Sequence, residues 1–171
     1  MKFGVKDYFR ESFFDHFKDS SDFFEVQGLR NKNYNFLKKY SIPFVVHAEH
    51  FSLGVNPADK NMIKINLESI NCARKIADMT NSKKIIFHPG ILVNKNCSRE
   101  NSIEFLSKID DDRILIENMP FQDKERFCQT PEDTKKFLKD PGKGFVFDFA
   151  HAMVSANKFG EDQEKFIKRF L

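Results

Sequence analysis

Ile85-Ile86-Phe87-His88-Pro89-Gly90 decides how this chain is read. Three apolar residues run straight into a histidine and then a turn. A continuous apolar run bounded by turn residues suits a strand buried on both faces, as strands of a parallel sheet are. The same pattern recurs at Phe44-Val45-Val46-His47, at Ile114-Leu115-Ile116-Glu117 and at Phe145-Val146-Phe147-Asp148. His151 follows in Asp148-Phe149-Ala150-His151. From 47 to 88, 88 to 117 and 117 to 148, each interval is about one strand–helix unit.

Two earlier runs, Phe3-Gly4-Val5 and Phe23-Phe24-Glu25-Val26, bring the candidate strands to six. The segments between them carry helical period. Phe9, Phe13 and Phe17 repeat every four residues, and Ile63, Leu67, Ile70, Ala73 and Ala77 line one helical face. Asn56-Pro57 is read as opening that second helix. Ser98 is read as the cap of the next, with Ile103, Leu106 and Ile109 facing inward. Thr130-Pro131-Glu132-Asp133 has a Thr N-cap, Pro at the first helical position and acids against the dipole. Lys165, Lys168 and Arg169 fall in the last turns of a terminal helix. Strand–helix alternation of this kind predicts an α/β fold with a parallel sheet of about six βα units, with residues 1–171 as a single domain.

The chain has 171 residues, 40% apolar and 31% charged, which predicts a soluble globular protein. No apolar run approaches the ~18 residues that a membrane span needs. The N-terminus, Met1-Lys2-Phe3-Gly4-Val5-Lys6-Asp7, has no apolar core of a signal peptide. Cys72, Cys97 and Cys128 are an odd number with no pairing pattern, so a reduced, cytoplasmic setting is expected. The net charge of +3 is too mild to argue for nucleic acid. Phe is frequent at 21 and Trp is absent, which reads as core filling.

Side chains at the carboxyl ends of parallel strands sit where α/β proteins build sites. Taken singly, each of these residues has a plain explanation. A strand-end histidine is more often a hydrogen-bonded loop residue, and a strand-end acid is more often a helix cap. Repetition in register lifts the set: burying several such groups without partners is costly. His47, His88, Glu117, Asp148 and His151 are therefore read as ligands of a divalent metal, with zinc first and manganese, magnesium or cobalt as alternatives. Glu25 is read as a substrate contact or a residue that balances charge, His50 as a substrate contact or, more commonly for its position, a solvated loop histidine, and Asn118 as a substrate contact or a donor that orients Glu117. His16 is read as structural, Asp110-Asp111-Asp112 as a solvated turn, and Cys128 as no nucleophile.

At Val46-His47-Ala48, Phe87-His88-Pro89-Gly90, Ile116-Glu117-Asn118 and Asp148-Phe149-Ala150-His151-Ala152 the sequence resembles the xylose-isomerase-like TIM-barrel superfamily. That superfamily joins sugar isomerases and epimerases to abasic-site nucleases of the endonuclease IV kind. The resemblance covers essentially the whole chain. In the isomerase branch it implies a metal that orients a sugar or sugar phosphate while a carboxylate, here Glu117, moves a proton between carbons. In the nuclease branch it implies that His47 and His88 bind one zinc. Glu117 would bridge to a second held by Asp148, and His151 would serve a third, for cleavage at abasic DNA.

The pattern departs from both branches after His151. No further histidine follows, and Glu161, Asp162 and Glu164 precede a helix rather than ending a strand. A closed barrel has eight units, so the expectation is an incomplete one, about three quarters built. The isomerase reading ranks first and the nuclease second. The third is an inactive or partner-completed barrel whose exposed sheet edges invite self-association.

Overall fold

All six apolar runs become strands. The computed structural model describes residues 1–121 and 125–171. The strands are β1 (Gly4–Asp7), β2 (Phe23–Gln27), β3 (Phe44–His47), β4 (Ile85–Phe87), β5 (Ile114–Glu117) and β6 (Gly144–Val146). They form one sheet in sequence order, with every neighbouring pair parallel. The helices are α1 (Glu11–Phe17), α2 (Ile63–Met79), α3 (Arg99–Ser107), α4 (Pro131–Leu138), α5 (Phe149–Phe159) and α6 (Gln163–Lys168). The fold is α/β and matches six units of a TIM-barrel-like arrangement, with β1 and β6 each paired on one side among the described residues.

Side chains alternate across a strand with period two, and this divides the sheet into two unlike faces. Phe24, Val26, Phe44, Val46, Ile85, Phe87, Ile114 and Ile116 are buried together with Phe14 of α1, Ile70 and Ala73 of α2, Leu106 of α3 and Phe137 of α4. Full burial of one such side chain is worth about 1.5–3 kcal/mol, so this shared core holds helices to sheet. The alternate residues, Glu25, Gln27, Val45, His47, Ile86, Leu115 and Glu117, fall on the other face. Hence a strand that ends in a ligand-type residue presents it away from the helices.

Local chemistry sets several helix ends. Ser98 accepts from the Asn101 amide and Thr130 from the Asp133 amide, as N-caps do. Asp148 caps α5 by accepting from the His151 amide at 2.7 Å, and Asp162 caps α6 from the Lys165 amide. Gly160 closes α5 in the left-handed conformation.

Other expectations need correction. The buried residue of α1 is Phe14; Phe9 precedes the helix and is exposed. In α2, Ile63 and Leu67 are exposed, and the buried stripe is Asn66, Ser69, Ile70, Ala73, Ile76 and Ala77. Asn56-Pro57 does not open α2, which starts seven residues after Asn56 at Ile63. Asp111 is no solvated turn residue: its carboxylate binds Arg113 at 2.7 Å and Arg74 at 3.1 Å. Glu25 lies in the middle of β2, which runs on to Gln27. His16 is exposed on α1, its ring edge against Phe17.

The connection from β2 to β3 has no α-helix, only a 3-10 turn at Asn35–Lys39. At the other end of the chain, α5 and α6 build a small cluster of their own around Ala152, Ala156, Phe166 and Ile167. No helix among the described residues is long and apolar enough to cross a membrane.

Candidate metal centre

Three consecutive strands deliver His47, His88 and Glu117 to one point. His47 closes β3, His88 follows β4 at once, and Glu117 closes β5. The His88 Nε2 lies 2.7 Å from Glu117 Oε2, and the His47 Nε2 lies 3.5 Å from the same oxygen. One ligand atom from each residue falls within 4.8 Å of the others.

The imidazoles are oriented from behind. His47 Nδ1 is 2.7 Å from the carbonyl oxygen of Ala48. A carbonyl only accepts, so Nδ1 carries a proton and Nε2 is the nitrogen that faces Glu117. This is the arrangement of metal-binding histidines, whose other nitrogen donates to a backbone carbonyl. Gln27 steadies the same strand end, its amide donating to the His47 and Ala48 carbonyls at 3.2 and 2.6 Å.

Glu117 Oε2 is buried and has no properly directed donor among the described residues. Burial pushes the Glu117 carboxyl up, but the contacts to His47 and His88 outweigh burial and hold it below the usual carboxylate range. Burial pushes the His88 imidazole down to about 3, so it is neutral at neutral pH. A buried carboxylate oxygen facing two imidazole nitrogens is a pocket that a cation would complete. Two imidazoles and a carboxylate with a position left open fit zinc, and are compatible with other divalent ions.

A second group shares Glu117. Glu117, Asp148 and His151 also place one ligand atom each within 4.8 Å of the others. His151 Nδ1 is 2.8 Å from the Asn118 carbonyl oxygen, so by the same reasoning its Nε2 is the free nitrogen. Asn118 accepts from the Asp148 amide at 2.6 Å and donates to the Asp148 carbonyl at 2.8 Å. Its side chain thus ties β5 to the start of α5, rather than reaching Glu117.

The other predicted residues are close by in different ways. His50 stacks on His88, with ring centroids 5.2 Å apart and planes at 20°, and burial pushes it down to about 4. Glu25 pairs with Lys6 at 2.7 Å on the site-facing side of β1 and β2.

Sequence reading did not single out the groups that shape the loop after His88. Asn56 is fully buried; its side chain accepts from the Ile91 amide at 3.0 Å and donates to the Ile91 carbonyl at 2.9 Å. Asn66 of α2 binds the Asn56 backbone on both sides. Gly90, between His88 and Ile91, has φ +110°, and a Cβ there would meet Ala58 and Asn56 at 3.1 Å. The loop pairs with a later one through the Ile91–Arg126 bridge. Arg30 and the buried Glu49, 2.5 Å apart, lock the loops after β2 and β3 together. Only Pro89-Gly90 advertised any of this, as a turn.

No family model matches the sequence, and no curated protein sequence matches it. Solved structures do. A D-tagatose 3-epimerase-like protein superimposes with a TM-score of 0.75 at 23% identity, over 99% of this chain and 71% of that one. Endonuclease IV from Thermus thermophilus gives 0.73 at 14% identity, with the same coverage. A xylose isomerase domain protein from Salmonella typhimurium gives 0.60 at 14%, over 91% of this chain and 63% of that one. At these identities the likeness establishes the fold alone, a TIM-barrel-like one. The chain spans about two thirds of the length of these structures.

Proposed function

We propose that the chain is a divalent-metal-dependent protein of the sugar or sugar-phosphate isomerase and epimerase type. The observation that carries this is the buried Glu117 Oε2, which lacks a directed donor and faces His47 and His88. Those three residues would hold the ion, with zinc the first choice on the donor set. A bound divalent cation supplies Lewis acidity, polarising a carbonyl or hydroxyl oxygen of the substrate.

The residues then divide the work. Glu117, ionised at neutral pH, would take a proton from the carbon beside the substrate carbonyl and return it to the neighbouring carbon, while the hydroxyl proton passes to the carbonyl oxygen. His50, neutral and stacked on His88, offers a ring nitrogen to a substrate hydroxyl. The Lys6–Glu25 pair offers a donor and an acceptor from the adjacent strands. Asn118 is a positioning residue that fixes Asp148 and His151. The three free cysteines accord with a reducing, cytoplasmic setting.

The sharing of Glu117 with Asp148 and His151 favours a second reading, a zinc phosphodiesterase acting at abasic DNA. A phosphodiesterase of this kind uses two or more ions to stabilise charge on phosphorus oxygens. The edges of β1 and β6, each paired on one side among the described residues, favour a third, in which a second copy or a partner completes the barrel.

Metal content by mass spectrometry after chelation and zinc reloading tests the site. At least one equivalent is expected, lost in His47→Ala; less than one equivalent in the unaltered chain sinks the proposal. Solvent deuterium entering a sugar or sugar phosphate, abolished by Glu117→Gln, supports the isomerase. A nick in abasic duplex DNA that Glu117→Gln abolishes supports the nuclease instead.

A further inference from the structure

The missing helix between β2 and β3 leaves one flank of α2 uncovered. The result is a groove of about 690 Å3 between α2 and the Arg30–Tyr34 loop, on the helix side of the sheet. It lies apart from His47, His88 and Glu117, none of which lines it. Its volume is in the range of small-molecule sites, about 300–1,000 Å3.

The lining has a definite chemistry. Ile76, Met79 and Cys72 supply an apolar floor, and the buried Tyr34 closes one side. Asn31 and Asn71, both exposed, bring amide groups that donate and accept. The charge is unbalanced. Arg30 is committed to Glu49, and Glu68 is 3.7 Å from the same guanidinium. Lys32 rests 4.4 Å from the Phe9 ring centroid, and neither it nor Lys75 makes an ion pair among the described residues. Two exposed ammonium groups therefore border an apolar floor.

We infer that this groove binds a small phosphate ester with an apolar, planar body, of the nucleoside monophosphate class. The phosphate would sit between Lys32 and Lys75, the body on the half-buried Cys72 and Met79, and its polar edge against Asn31 and Asn71. The inference is independent of the metal centre, because no lining residue is a ligand there.

Titration of the full chain with AMP, adenosine and inorganic phosphate in EDTA tests it, by calorimetry and by amide NMR shifts. AMP is expected to bind with shifts confined to Arg30–Tyr34 and Asn71–Met79. Adenosine and phosphate alone should each be at least about tenfold weaker, which corresponds to about 1.4 kcal/mol per component. Lys32→Gln with Lys75→Gln should weaken AMP at least about tenfold while the melting temperature is kept. His47→Ala should bind AMP as the unaltered chain does, which separates this groove from the metal centre. The inference is overturned by no AMP binding at about 10 mM, roughly ten times the level that half-fills a millimolar site. It is equally overturned by binding that ignores both lysines, by phosphate binding as tightly as AMP, or by shifts centred on His88.

Discussion

Replacing His47 should abolish most of the stability that zinc confers, and the size of that loss follows from linkage. An ion that binds only the folded chain stabilises it by RT ln(1 + [L]/Kd), about 4 kcal/mol at a thousandfold excess over Kd. For a domain of this size each kcal/mol moves the melting temperature by about 2–4 °C, so zinc should raise it by about 8–16 °C. His47→Ala removes one of the three proposed ligands. Loss of a mere supporting contact behind a ligand costs 10–100-fold in affinity, so loss of the ligand itself should cost at least about 100-fold. At the same zinc concentration the increment then falls to about 1.4 kcal/mol, or about 3–5 °C. The substitution also leaves a cavity at a residue only 2% exposed, which lowers the melting temperature of both forms. The readout is therefore the zinc-dependent increment by calorimetry, with and without chelator, and not the melting temperature itself. His16→Ala, at an exposed histidine on α1, controls for adventitious binding and should keep the full increment. No increment in the unaltered chain, or an undiminished one in His47→Ala, refutes the reasoning.

Asn56→Ala removes the side chain that binds both polar groups of Ile91 and should cost about 2–4 kcal/mol in urea denaturation, because buried groups are left unpaired. It should also weaken zinc binding, since it frees the loop after His88. Gly90→Ala, at φ +110° with no room at Ala58, should cost about 1–3 kcal/mol, and an unchanged urea midpoint would remove the steric argument. The hydrogen bond from Arg113 holds the Asp111 carboxyl down at about 2, against a usual 3.8. A folded-state pKa below the unfolded one gives stability that is full above about pH 4 and is lost as pH falls toward 2. Asp111→Asn should thus cost about 2–3 kcal/mol at pH 7 and little at pH 2. A cost that does not change with pH would mean that the ion pair is not its source.

The strands were legible because each is a contiguous apolar run, and a parallel strand buried on both faces needs nothing else. The convergence of His47, His88 and Glu117 was legible because a fixed offset from each run repeats in the one-dimensional sequence. What escaped depends on long-range contacts. Asn56 looks like a helix opener next to Pro57, yet its partners are Asn66 and Ile91, ten and thirty-five residues away. Asp111 looks like part of a charged turn, yet its carboxylate is nearly buried between Arg113, two residues on, and Arg74, which α2 brings from a distance. Phe9, Phe13 and Phe17 share a helical period, but the period does not say which face meets the sheet. Phe14 does, against Phe24.

The distribution of ligands over the sheet bears on what this chain can do. His47, His88 and Glu117 come from β3, β4 and β5, each paired on both sides, so their geometry does not depend on how the sheet is continued beyond β1 or β6. Asp148 and His151 follow β6, which is paired on one side among the described residues, and Asn118 is their main tie to β5. The first group should therefore hold an ion with the rigidity of the interior strands. The second should hold one more loosely, unless something packs on the outer edge of β6. A single tightly held ion suits proton transfer on a sugar, whereas phosphodiester cleavage by this arrangement needs the second. Under the proposed function, the choice between the two activities would turn on whether the edge of β6 is covered.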